Sequence, residues 1–142
     1  MALIRGSRGL IYFVHQFKPA FREAALLDDP DMLAGVTAIN RQIHELASVL
    51  NSPSITNGVM VKSSTQEAPI AWMMKRRADA TYLFTVNMRN EATRGTFAIR
   101  DLPTSTSLEV LNESRNIKAG EGEFSDDFGG YEVHLYRVRA LK

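Results

Sequence analysis

The chain has 142 residues, 44% of them hydrophobic and 23% charged, a formal net charge of +1 and no cysteine. That length lets a single domain bury a core without staples. The missing thiols exclude disulfides, thiolate metal sites and cysteine nucleophiles. Near-neutrality gives no bulk attraction to nucleic acid or to an anionic membrane, so neither is expected as a partner. No run approaches the ~20 apolar residues of a membrane span. Arg5 and Arg8 interrupt the apolar residues a secretory leader would need, so the expected location is cytoplasmic. Asn112-Glu113-Ser114 fits a glycosylation sequon, which without a leader reads as a chance match.

In chain order, Gly9-Leu10-Ile11-Tyr12-Phe13-Val14 reads as a buried strand, apolar on both faces and closed by Lys18-Pro19. A short helix is expected over Ala20 to Leu27. Asp29-Pro30-Asp31 is a helix start, with an Asp cap, a Pro at the first position and acid in the first turn. Leu33, Val36, Ile39, Ile43, Leu46, Ala47 and Leu50 follow at helical spacing, so one helix is predicted over about 30–50, stopped by Asn51-Ser52-Pro53. Beyond Pro53 come short strands at Val59–Ser63, Ile70–Lys75, Thr81–Met88, Gly95–Arg100, Ser107–Leu111 and Tyr131–Val138, with a weaker one at Asn116–Lys118. Turn formers separate them, as in an antiparallel sandwich rather than βαβ units. The fold class is thus mainly β with an N-terminal helical segment (α+β), an antiparallel β-sandwich of about six to eight strands preceded by one long helix. Residues 1–53 form a strand-and-helix lead-in and 54–142 the sandwich, packed as one unit.

The run Ala2-Leu3-Ile4-Arg5-Gly6-Ser7-Arg8-Gly9-Leu10-Ile11-Tyr12-Phe13 resembles the last helix-to-strand passage of a (β/α)8 barrel. Leu46-Ala47-Ser48-Val49-Leu50-Asn51-Ser52-Pro53 resembles the final barrel helix handing over to an appended β-domain. Phe124-Ser125-Asp126-Asp127-Phe128-Gly129-Gly130-Tyr131-Glu132-Val133-His134-Leu135-Tyr136 resembles the last strand of that domain. Together these stretches resemble the C-terminal portion of a barrel glycoside hydrolase of the α-amylase type, over the whole chain. The resemblance implies that the catalytic carboxylates belong to earlier barrel strands not contained here. It also implies that Phe13, His15 and Gln16, beyond the eighth strand, are the nearest thing to substrate-binding positions.

No catalytic constellation emerges from the residues themselves. Asp126 and Asp127 are neighbours that a strand would point to opposite faces, and they read as turn chemistry in a Gly-rich loop. Glu121, Glu123 and Asp126 do not match an EF-hand, so no metal or other cofactor is expected. His15, His44 and His134 are far apart, and His134 reads as a satisfied sheet residue. There is no Gly-x-Ser-x-Gly elbow, and Gly6-Ser7-Arg8-Gly9 lacks the ending of a phosphate loop. Lys75-Arg76-Arg77 is the one basic cluster and reads as a hairpin tip, where charges protect a sheet edge. Trp72, Tyr82 and Tyr136, with His15, are the candidate carbohydrate-binding residues, set against core packing as their plainer role.

The expected function is a non-catalytic structural or interaction module, a truncated or free-standing glycosidase tail. A carbohydrate-binding module using exposed aromatics is the alternative, and an uncharacterised enzyme the third reading. Without its barrel, Leu10–Val14 would be an unpaired apolar strand, which predicts a homo-oligomer, a two-fold dimer burying that segment.

Overall fold

The structure, a computed structural model, describes residues 1–139. After an irregular lead-in and a 3₁₀ turn at Ala25–Asp28 come α1 (Pro30–Glu45) and α2 (Ala47–Leu50). Eight strands follow: β1 (Val59–Ser63), β2 (Ile70–Arg77), β3 (Ala80–Asn87), β4 (Thr93–Ile99), β5 (Ser107–Val110), β6 (Arg115–Lys118), β7 (Glu123–Phe128) and β8 (Val133–Arg139). They form two antiparallel sheets, one ordered β1-β4-β7 and the other β2-β3-β8-β5-β6. The mainly β, α+β sandwich expected from the turn spacing is what the chain adopts.

Period-two alternation decides which side chains enter the sandwich. Val59, Phe97, Ile99, Phe124 and Phe128 from the smaller sheet meet Ile70, Met74, Leu83, Leu108, Val110, Tyr136 and Val138 from the larger in one buried cluster. Phe97 is its hub, with ring centroids 4.9 Å from Phe124, 6.1 Å from Phe128 and 5.7 Å from Tyr136. Gly95 makes room for it, since a Cβ there would lie 2.8 Å from the Phe97 ring and 2.6 Å from Ile70 Cδ1.

The larger sheet is apolar on its other face too. Ala71, Phe84, Val86 and Leu135 pack there with Ile4 and Val49, flanked by Leu46, Leu50 and Met73. The helical lead-in is therefore a third layer laid over the sheet. Asp29 caps α1 as expected, its carboxylate accepting from the Met32 amide at 2.9 Å, with Pro30 at the first position. The predicted helix over 30–50 is split at Leu46, and this turn sets Val49 into the sheet at 4% exposure. Within α1 itself no residue is fully buried; Leu33, Val36 and Ile43 are half-buried and Ile39 stays exposed.

Three expectations are corrected. Leu10–Val14 is not a strand: among the described residues the amides of Leu10 to His15 make no backbone hydrogen bond, and the nearest pairing is the single bridge between Gln16 and Arg22. A strand needs an edge to pair with, and the β2 edge beside it is partly taken by Ser54 and Ile55, whose amide donates to the Met74 carbonyl at 2.9 Å. The helix over Ala20–Leu27 is reduced to the 3₁₀ turn at Ala25–Asp28. Asp126 and Asp127 lie on β7 rather than in a turn.

Truncating the hub should show how strongly the sandwich core outweighs the lead-in. Phe97→Ala is expected to cost ~3–5 kcal/mol in urea unfolding. Phe13→Ala, at a side chain 73% exposed, should change monomer stability by no more than about 0.5 kcal/mol.

Candidate functional site

Two features stand out, a polar clasp at the rim of the sandwich and an apolar surface on the lead-in. The clasp begins on β7, where Phe124, Asp126 and Phe128 share the inward face by alternation. Asp126 sits between two buried phenylalanines, its side chain 11% exposed. Arg115 of β6 grips it with two parallel bonds, Nη1 to Oδ1 at 3.0 Å and Nη2 to Oδ2 at 2.7 Å. The Tyr136 hydroxyl donates to Oδ2 at 2.9 Å, and the Asp127 amide to Oδ1 at 3.0 Å.

The network then runs outward. Arg115 Nε donates to Glu113 Oε2 at 2.7 Å, and Glu113 Oε1 lies 2.6 Å from Nδ1 of the buried His134. His134 Nε2 is 3.1 Å from the Asp127 carbonyl, and the ring meets Phe128 edge-on at 4.6 Å. Glu113 is presented by the β5–β6 hairpin turn, whose flanking Asn112 and Ser114 take left-handed φ values of 66° and 50°; the sequon-like triplet is that turn. β6 and β7 are edge strands of different sheets, so the Arg115–Asp126 pair ties the sheets together where no ladder does.

Burial pulls the Asp126 carboxyl up, but the hydrogen bonds from Arg115 and Tyr136 and the guanidinium charge outweigh it and hold the group below its ordinary range. Burial and the neighbouring Asp126 carboxylate push the Tyr136 hydroxyl far up, keeping it a neutral donor. No buried side-chain polar atom among the described residues lacks a partner. The clasp's buried donors and acceptors are all paired within the protein, which suits a structural tie. A catalytic acid or base would need a free face toward substrate.

The candidate sugar-binding residues do not come together. Trp72 is half-buried on the sandwich-facing side of β2, packed against the inner core. Tyr82 packs on the opposite, helix-covered side of the same sheet. Tyr136 is fully buried, so its ring offers no face to a pyranose, contrary to the role considered for it from sequence. His15 lies on the lead-in, in the second feature. There Phe13, Phe17, Phe21 and His15 form a closed ring of four side chains, with successive centroids 5.9, 5.8, 5.9 and 5.3 Å apart. The three phenylalanines are 73%, 66% and 62% exposed, and Ile11 beside them is fully exposed. Among the described residues no group of three or more His, Asp or Glu side chains is placed to hold a metal, and no helix is long and apolar enough to cross a membrane.

Among solved structures, the fold is similar to part of an α-amylase from Geobacillus thermoleovorans, solved with acarbose. The TM-score is 0.59 at 15% identity, covering 80% of this chain and 24% of the enzyme. The α-amylase of Anoxybacillus gives 0.56 at 12% identity, with the same coverage of 80% and 24%. AmyP in complex with maltotriose gives 0.58 at 12% identity, over 85% of this chain and 24% of that one. The chain thus shares its fold with a portion of amylase-type glycoside hydrolases and spans about a quarter of their length, in keeping with a partial C-terminal domain. No family model and no curated protein matches the sequence.

The clasp makes acid stability a test of its role. A carboxyl whose folded value is depressed contributes stability that is complete above its unfolded value, near pH 4, and is lost as pH falls through the folded value. Urea unfolding followed downward from pH 5 should therefore show falling stability in the wild type. Asp126→Asn should cost about 1–3 kcal/mol at neutral pH and flatten that acid slope; an unchanged slope would remove Asp126 as its source.

Proposed function

We propose that this chain is a non-catalytic structural and interaction module, akin to the C-terminal β-domain of a glycoside hydrolase, and that it associates with a second copy of itself through the N-terminal face. The observation that carries this reading is the exposed apolar surface around Leu10–Phe21. Three phenylalanines, each about two thirds exposed, offer on the order of 300–400 Å² between them, given the 150–250 Å² such a ring carries. Leu10 (41%), Ile11 (100%), Tyr12 (40%), Leu27 (66%) and Met32 (57%) extend the patch. This exceeds the ~300–600 Å² of the largest patch on a typical monomer and approaches the ~800 Å² per partner of a stable interface.

A second copy fits better than an unrelated partner because the patch is bordered by both signs of charge. Arg8, Lys18 and Arg22 lie close in sequence to Glu23, Asp28, Asp29 and Asp31, and a two-fold contact brings each residue against the other's counterpart. The unpaired amides of Leu10 to His15 add the means to form an antiparallel strand pair across the axis.

Sedimentation or light scattering over a dilution series is expected to show a dimer that dissociates on dilution. Ile11→Asp with Phe13→Ser should leave a folded monomer at all concentrations, at least tenfold weakened in association. A wild type that is monomeric throughout would overturn the self-association, and a dimer indifferent to both substitutions would move it to another face.

A further inference from the structure

We infer that the groove between the lead-in, α1 and β2 is a binding site for a small molecule carrying an oxyanion, phosphate or carboxylate, with Lys75 as its anchoring cation. The groove encloses about 740 Å³, within the range of small-molecule sites. Its lining combines the polar groups of Ser7, Asn40, Asn51 and Ser54 with the phenol of Tyr12. Two cations, Arg8 and Lys75, stand in that wall, and no Asp or Glu does.

Lys75 is the unusual member. It lies in the interior of β2 and is only 8% exposed. Its ammonium donates to the Ser52 carbonyl at 2.8 Å and, among the described residues, has no carboxylate within ion-pair distance. The other charges embedded in this fold are paired: Arg115 with Asp126 and Glu113, and Arg137 with Glu109. Burying an ammonium without a counter-charge is costly, and Lys75 lines the groove, from which a ligand's counter-charge could reach it. With one of its three protons committed to Ser52, two remain for a ligand oxygen.

Arg8, exposed in the turn between Gly6 and Gly9, supplies a second and adjustable cation. A Cβ on either glycine would meet nothing within 4 Å, so this turn is loosely packed where it lines the groove. The Tyr12 hydroxyl donates to Asn40 Oδ1 at 2.9 Å, which leaves the Asn40 amide N–H groups directed elsewhere and available to hydroxyls on the body of the ligand.

The site is tested by titrating the whole chain with inorganic phosphate and, separately, with acetate at constant ionic strength set by chloride, following amide shifts by NMR. Saturable shifts at Ser7, Arg8, Asn51, Ser52 and Ser54 are expected in the millimolar range for the better of the two anions, and which one it is distinguishes phosphate from carboxylate. Lys75→Met, which keeps the length of the buried stem, should weaken binding about tenfold, the worth of a charge-assisted contact. Arg8→Ala, in an exposed turn where folding is not at risk, should weaken it severalfold, while Lys62→Ala, exposed on β1 of the other sheet, should leave it unchanged. No saturable shift with either anion would overturn the site, as would binding equally strong in Lys75→Met and wild type.

Discussion

Seven residue pairs between β3 and β8 place apolar side chains alternately on two sides of one ladder. Leu83 and Tyr136 enter the sandwich, while Phe84 and Leu135 face the helical lead-in. A sheet of this kind cannot leave either face to water, because each carries buried apolar groups worth about 1.5–3 kcal/mol apiece. The three-stranded sheet covers one face, and Ile4, Val49 and the flanking leucines cover the other. The lead-in is therefore held by the sheet's own need for a cover. It does not require a ladder of its own.

That arrangement also accounts for what the lead-in leaves exposed. Ile4 and the end of the helical stretch pack on the sheet, and the chain between them passes over the surface with Ile11, Phe13, Phe17 and Phe21 exposed. The same passage opens the groove against Lys75. Apolar patch and cationic groove are two consequences of one short docking contact, with Leu10 and Tyr12 bordering both. At the β6 edge of the larger sheet, Arg115 and Asp126 tie it to β7 of the smaller one.

Local pattern made much of this legible. Asp29-Pro30 marked the start of α1, and short runs bounded by turn formers marked the strands at Val59–Ser63 and around Leu83 and Leu135 close to their observed ends. At two places the pairing partners overrode the local pattern. Leu10–Val14 has the composition of a strand but finds no free edge. β7 was hidden because Asp126 and Asp127 interrupt its apolar residues, and the glycines that follow suggested a turn. The clasp left one trace, a carboxylate in the phase of Phe124 and Phe128 where the core-facing side chain should be apolar. Its meaning depends on Arg115 and Tyr136, which only the fold brings there.

Native-state hydrogen exchange under mild denaturant addresses the sheet-centred organisation most directly. If the doubly covered sheet organises the molecule, the amides of β3 and β8 exchange last and only through global unfolding, after those of α1. Amides of α1 outlasting those of β8 would contradict it, since the helical layer would then be holding the sheet.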